Sequence, residues 1–176
     1  MGEVTGWRGR FFEDYEVGDV YPHPLGRTVT DTDNIWFTAL TMNTNPIHFD
    51  ANIAAKTEFG KLLVNSCFTL SLVVGLSVTD LSQNVIANLE WTDVVLPHPV
   101  FAGDTIYARS EILGKRESGS RPHAGIVTAR TDGFNQDGDI VISYKRTFMV
   151  YKREAGLANR TPPRPKEPKQ AKEDKR

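Results

Sequence analysis

Residues 61–83 read KLLVNSCFTLSLVVGLSVTDLSQ, and how this stretch is read decides the fold. Leu62, Leu63, Val64, Phe68, Leu70, Leu72, Val73, Val74, Leu76, Val78 and Leu81 fall on every face of a 3.6-residue wheel. A helix that is apolar all round is buried on all sides, in a protein core or in a membrane. Asn65, Ser66, Thr69, Ser71, Ser77 and Thr79 interrupt the run before ~20 apolar residues accumulate, so no membrane span is expected. The stretch therefore predicts a central helix enclosed by other elements. Immediately upstream stands the densest polar cluster in the chain, Asn43-Thr44-Asn45-Pro46-Ile47-His48-Phe49-Asp50. A polar motif feeding a buried helix is where chemistry is to be sought.

The rest of the chain supplies strands. Val85 to Val95 is an extended run, broken by Pro97-His98-Pro99, because proline has no N–H to offer a ladder. In the next run, Thr105 to Lys115, Ile106, Ala108, Ser110 and Ile112 alternate with Tyr107, Arg109, Glu111 and Leu113, the pattern of a half-buried strand. Ile126 to Phe134 and Asp139 to Lys152 flank Asn135-Gln136-Asp137-Gly138, a hairpin turn. Long consecutive strands joined by short loops pair antiparallel. Upstream, Val20-Tyr21 and Arg27 to Thr30 read as short extended segments. Thr32-Asp33 is expected to cap a helix from Asn34 to Leu40 that turns Ile35, Phe37 and Leu40 inward. Pro46 disfavours helical geometry at Asn45, and Asp50 can cap a short helix near Ile53 to Lys56.

Composition narrows the function. A chain of 176 residues fits one domain, and a net charge of −1 with 24% charged residues gives no reason to expect nucleic acid or an anionic membrane as partner. Cys67 is the single cysteine, which forbids an internal disulfide and suits a reducing cytoplasm; inside the apolar helix it is expected to pack rather than react. The N-terminal residues lack an apolar core segment, so no signal peptide is expected, and residues 1–10 are expected to be loose. From Glu154 onward charges and prolines replace apolar periodicity, which predicts a disordered tail over 154–176 after a folded domain over 1–153. No second His, Cys or carboxylate is spaced to share a site with His48, so no metal is expected. His23, His98 and His123 lack such polar company and are read as surface or loop residues.

One buried helix followed by a long antiparallel meander is the layout of the hot dog fold. The motif Asn43 to Asp50, with Phe59-Gly60 and Val64-Asn65-Ser66, resembles the MaoC-like, (R)-specific enoyl-CoA hydratases. The resemblance covers most of residues 11–151. It implies an α+β hot dog domain, a long central helix wrapped by a curved antiparallel sheet, that pairs as a homodimer or higher homo-oligomer and acts on an acyl-CoA thioester. Coenzyme A then belongs to the substrate, and no separate cofactor is implied. Three positions depart from the family pattern, with Asn43 in place of a catalytic Asp, Asn65 in place of His and Ser66 in place of an oxyanion-hole Gly. Val64-Asn65-Ser66 and Glu117-Ser118-Gly119-Ser120-Arg121-Pro122 also look like the branch that hydrates branched C5 dicarboxylyl thioesters of the mesaconyl-CoA and itaconyl-CoA type.

Hydration of an α,β-unsaturated thioester requires a base for water, a proton for the α carbon and donors for the enolate oxygen. His48 can serve as base and acid in turn. Asn43 cannot take a proton at neutral pH and can only orient water. Asn45, Asn65 and Ser66 are the candidate substrate-binding residues around the helix start, where backbone N–H groups point outward. Arg116 and Arg121 flank a Ser-Gly-Ser loop and can offer a guanidinium fork to a carboxylate or to the phosphates of coenzyme A. Two other readings stay open. One is an acyl-CoA thioesterase using Asp50 or Glu58; the other is a non-catalytic acyl-CoA-binding subunit of a hetero-oligomeric dehydratase, which the missing Asp at position 43 would explain.

Overall fold

The computed structural model describes residues 6–158. Two short strands, β1 (Val20–Pro22) and β2 (Arg27–Thr28), precede helix α1 (Asp31–Leu40). The polar motif then forms a 3-10 turn at Pro46–His48 and a one-turn helix α2 (Ala51–Ala54). The central helix α3 spans Ser66–Ser77 and widens into a π turn at Val78–Ser82. Strands β3 (Val85–Val95), β4 (Thr105–Glu117), β5 (Ala124–Phe134) and β6 (Ile140–Tyr151) follow, then helix α4 (Arg153–Ala158). The sheet runs β1-β4-β5-β6-β3, every pairing antiparallel, with β2 pairing β4 off this path. This is the hot dog arrangement that the sequence predicts.

Period-two patterning places the core. Ile106, Ala108, Ser110 and Ile112 are all buried, as their alternation requires. Phe68 and Val73 of α3 pack with Ile106, Ala108, Ile142 and Tyr144 of the sheet. Helix and sheet meet so closely that a Cβ at Gly133 would strike the side chains of Val73 and Ile142. A second cluster forms past the helix end, where Leu81 packs with Phe12, Tyr15, Ile112, Val127 and Phe148. Each such side chain contributes about 1.5–3 kcal/mol of burial.

The π turn leaves carbonyls that the regular helical ladder would have used. Residues upstream of β1 satisfy them: the Trp7 indole N–H donates to Thr79 O at 3.1 Å, and the Tyr15 hydroxyl to Leu81 O at 2.6 Å. Asn84 Nδ2 donates back to Arg8 O and Arg10 O, and Gly9, at φ 78°, lies against Gln83 and Asn84. Residues 7–10 are therefore pinned rather than loose, because they complete the end of α3.

Other expectations also change. Helix α1 begins at Asp31, since Thr30 and Asp33 form a reciprocal capping box. Its inward face is polar: Asn34 and Thr38 are buried, whereas Ile35 and Leu40 are exposed and Phe37 is half-buried. The stretch Lys61 to Asn65 is not helical but extended, with Val64 N–H donating to Val100 O at 2.9 Å. Helix α3 is covered on one side only within the chain. Cys67, Ser71 and Gly75 are exposed, so the cysteine does not pack in the core. Helix α4 extends ordered structure past the expected boundary at 153, with Gly156 buried against Phe11; the remainder of the charged tail lies outside the described residues.

His23 is not a surface residue. Burial closes over its ring, Nδ1–H donates to Asp80 at 3.0 Å, and Nε2 accepts from the Ser110 hydroxyl at 2.9 Å, which in turn meets Thr131 at 2.8 Å. Burial pushes the imidazole below its usual value of 6.5, against the pull of Asp80 and helped by the buried Arg146 guanidinium. The Asp80 pair is thus a neutral-histidine hydrogen bond rather than an ion pair. With the folded-state value depressed, the unfolded chain takes up the proton first, so this contribution to stability is full above about pH 6.5 and falls as the solution is acidified through that window. Urea midpoints at pH 7.5 and 5.5 are expected to show wild type losing more stability on acidification than His23→Gln. Equal losses in the two proteins would remove His23 as the cause.

Candidate active site

The side chain of Asn34 joins three segments that are distant in sequence. It is buried, its Nδ2 donates to His48 O at 2.9 Å and to Leu63 O at 3.0 Å, and its Oδ1 accepts from Asn65 N–H at 2.9 Å. One amide thereby ties α1 to the polar motif and to the start of α3. The polar motif is folded by its own asparagines. Asn43 Oδ1 accepts from Asn45 N–H at 3.0 Å, and Asn45 Oδ1 accepts from Ile47 N–H at 3.3 Å, capping the 3-10 turn that carries His48.

His48 is buried, and its Nδ1 lies 2.8 Å from Leu63 O. A carbonyl only accepts, so Nδ1 carries a proton, and in the neutral ring Nε2 holds the free lone pair. Among the described residues nothing engages Nε2. The same Leu63 lines a cavity of about 320 Å³ with Phe59, Val64, Ser66, Thr69 and His98 among its walls. His48 is not itself among the lining residues but is one hydrogen bond from Leu63, which is.

The N-terminus of α3 opens on that cavity. Asn65 caps it, its Oδ1 accepting from Cys67 N–H at 3.0 Å, while Ser66, the first helical residue, faces the cavity. A helix start with outward N–H groups suits a carbonyl oxygen that gains negative charge.

The structure thus brings His48, Asn43, Asn45, Asn65 and Ser66 to one end of α3 but changes several roles. Asn45 and Asn65 are caps whose side-chain oxygens are committed to the backbone, and Asn65 Nδ2 also meets Thr38 at 3.4 Å, so what Asn45 keeps for a ligand is its amide nitrogen. Asn43 retains only its Nδ2 to offer, because its oxygen holds the loop. Arg116 and Arg121 are not brought to His48 at all. The α3 start is anchored beside Phe101, at the head of β4, whereas Arg116 is at the other end of β4, eleven residues and about 35 Å along the strand. Arg116 instead lines a separate open concavity with Phe12, Glu13, Lys115 and Lys152, and Arg121 N–H donates to Ser118 in the turn beyond. His123 is exposed and stacks on Tyr151, as expected of a surface residue, while His98 borders the cavity. Among the described residues, no group of three or more His, Cys, Asp or Glu side chains is placed to hold a metal ion.

Asn34 was hidden in the sequence by the assumption that apolar residues marked the inner face of α1. The signal was the polar pair Asn34 and Thr38, four apart on a helix, where a shared inward face is possible.

A family profile described as mesaconyl-CoA hydratase matches residues 3–175. The chain belongs to the mesaconyl-CoA hydratase family. Mesaconyl-CoA hydratase from Cereibacter sphaeroides is 36% identical over 146 residues, covering 83% of this chain and 42% of that protein. The chain spans about two-fifths of the length of the curated relatives it matches. A MaoC domain protein dehydratase from Chloroflexus aurantiacus superimposes with TM-score 0.81 at 28% identity, over 95% of this chain and 46% of that one. A Mycobacterium tuberculosis protein described as a double hot dog fold superimposes with TM-score 0.76 at 21% identity, over 88% of this chain and 47% of that one, which speaks to the fold alone.

The Asn34 junction generates a test. In Asn34→Asp, carboxylate oxygens face the carbonyls of His48 and Leu63 where donors stood, and a cost of about 3 kcal/mol or more is expected. Asn34→Ala removes the donors without adding charge, and about 2 kcal/mol is expected. Urea denaturation measures both, and an Asn34→Asp protein as stable as wild type would contradict the junction.

Proposed function

We propose that this chain adds water to an α,β-unsaturated acyl-CoA thioester, or removes it in the reverse direction, and that the thioester is a branched C5 dicarboxylyl-CoA of the mesaconyl-CoA or itaconyl-CoA type. The observation that carries this reading is His48, with Nδ1–H fixed on Leu63 O and a free Nε2, beside a cavity headed by the N-terminus of α3. The family membership and the names of the relatives point to the same reaction.

In this mechanism the thioester carbonyl accepts from the backbone N–H at Ser66, which draws electron density from the double bond. Nε2 of His48 removes a proton from water as its oxygen bonds to the β carbon. The imidazolium then returns that proton to the α carbon, so hydrogen and hydroxyl are both accounted for. Asn43 donates from Nδ2 to the water oxygen. It can orient the nucleophile but not deprotonate it. The proposal requires no cofactor other than the coenzyme A of the substrate.

We further propose that the working unit is a homodimer or larger assembly in the cytoplasm. Among the described residues no helix is long and apolar enough to cross a membrane. Edge strand β3 exposes Leu89, Trp91, Val94 and Val95, and α3 exposes Cys67, Ser71 and Gly75, so an apolar helix and sheet edge lack cover within one chain. The thioesterase reading loses ground because Asp50 Oδ1 caps α2 through Ile53 N–H at 3.0 Å. A binding subunit remains the second reading, favoured by Asn43 at the family's Asp position.

Purified protein assayed on mesaconyl-CoA and crotonyl-CoA, with free thiol followed in parallel, is expected to hydrate without thiol release. His48→Ala should lower kcat about 10²–10⁴-fold with the fold intact, and Asn43→Ala should cost less. Thiol release would assign a thioesterase. Hydration by Asn43→Asp but not by wild type would assign a binding subunit.

A further inference from the structure

The cavity at the head of α3 has one lining residue able to carry charge. Phe59, Leu63, Val64 and the loop from Leu96 to Val100 supply apolar wall, Ser66 and Thr69 supply hydroxyls, and His98 supplies an imidazole. At about 320 Å³ the space is at the small end of ligand sites (roughly 300–1,000 Å³), suited to an acyl group rather than to a whole acyl-CoA. His98 is set between Pro97 and Pro99, which fix their own φ angles, and the chain bends at His98, so its side chain is presented by a stiffened turn of the loop.

The space is partly open and His98 is exposed at its rim. A dicarboxylyl thioester brings a second, free carboxylate there, and a carboxylate that loses part of its water gains from a donor or a positive charge. Other cations near the α3 start are engaged elsewhere. Lys61 Nζ lies 4.1 Å from the centroid of the Phe101 ring, outside the lining, and Arg27 pairs with Asp33 at 2.5 Å. Arg116 and Arg121 are at the far end of the sheet.

We propose that His98 is the specificity-determining residue of this site, donating a ring N–H to the free carboxylate of the acyl group while the thioester carbonyl is at Ser66. The proposal rests on the acyl-CoA reading above. It adds the residue that separates a dicarboxylyl from a monocarboxylyl substrate.

Succinyl-CoA and butyryl-CoA test it, since neither has a double bond to hydrate and they differ in a terminal carboxylate against a methyl group. Calorimetric titration of wild type, His98→Gln, His98→Ala and Lys61→Ala gives dissociation constants for both. Wild type is expected to prefer succinyl-CoA. His98→Ala should weaken succinyl-CoA about tenfold, the lower end for a hydrogen bond to a charged group, and butyryl-CoA less than twofold. His98→Gln, which keeps an N–H donor on a differently shaped side chain, should fall between. Equal weakening of both ligands, no weakening of either, or a selective loss that follows Lys61→Ala overturns the assignment of His98 while leaving acyl-CoA binding standing. Failure of wild type to bind either thioester overturns the acyl-CoA reading and this proposal with it.

Discussion

The Asn34 amide is the constraint on which the site depends. A buried primary amide has two donors and an acceptor that must all be matched, and here the partners come from two segments, the polar motif and the stretch leading into α3. His48 O and Leu63 O take the donors, and Asn65 N–H takes the acceptor. Because Leu63 O also fixes His48 Nδ1–H, the same small network sets both the position of the polar loop and the orientation of its histidine. Packing alone does not supply this. Apolar contacts are non-directional, whereas a fully satisfied polar junction in a dry interior permits few alternative arrangements.

The sheet supplies the rigid frame for that junction. Val64 N–H bonds to Val100 O and Leu63 bridges Phe101, so the segment leading into α3 is clamped to the loop between β3 and β4. That loop carries Pro97, His98 and Pro99 on one wall of the cavity, and the α3 start forms the other. The cavity is therefore bounded by a proline-stiffened loop and by a capped helix. At the opposite end of α3 a different polar layer, His23 with Asp80, Ser110 and Thr131, fixes the helix to β4 and β5. The two polar centres bracket the aliphatic and aromatic cluster that joins α3 to the sheet.

An asparagine at position 43 gives the site a particular division of labour. Its oxygen is spent on the turn through Asn45 N–H, and its remaining donors can hold a water oxygen. In the proposed reaction, proton transfer then falls to His48 alone. A carboxylate at that position could keep the turn with one oxygen and accept from water with the other.

Much was legible without coordinates. Strand β3 begins and ends where its apolar run does, and the inward set of β4 follows from period two, because strand faces alternate regardless of context. The polar motif, His48 within it and the hot dog layout were readable because the residue types and their spacing are local. The inner face of α1 was not readable. Ile35 and Leu40 suggested an apolar contact, but the space beneath α1 holds backbone carbonyls, so Asn34 and Thr38 turn inward instead. His23 and Asp80 are 57 residues apart, and only the wrapping of β1 and β4 against the end of α3 brings them into contact. Arg116 and Arg121 looked like site residues because chemistry travels with residue type, yet β4 is too long for its far end to approach His48. Sequence alone determined which residues could do the chemistry and where the chain would turn, since both are local properties. Which of those residues share one end of α3 was decided by the tertiary structure, because buried hydrogen bonds must be matched across segments that the chain order keeps apart.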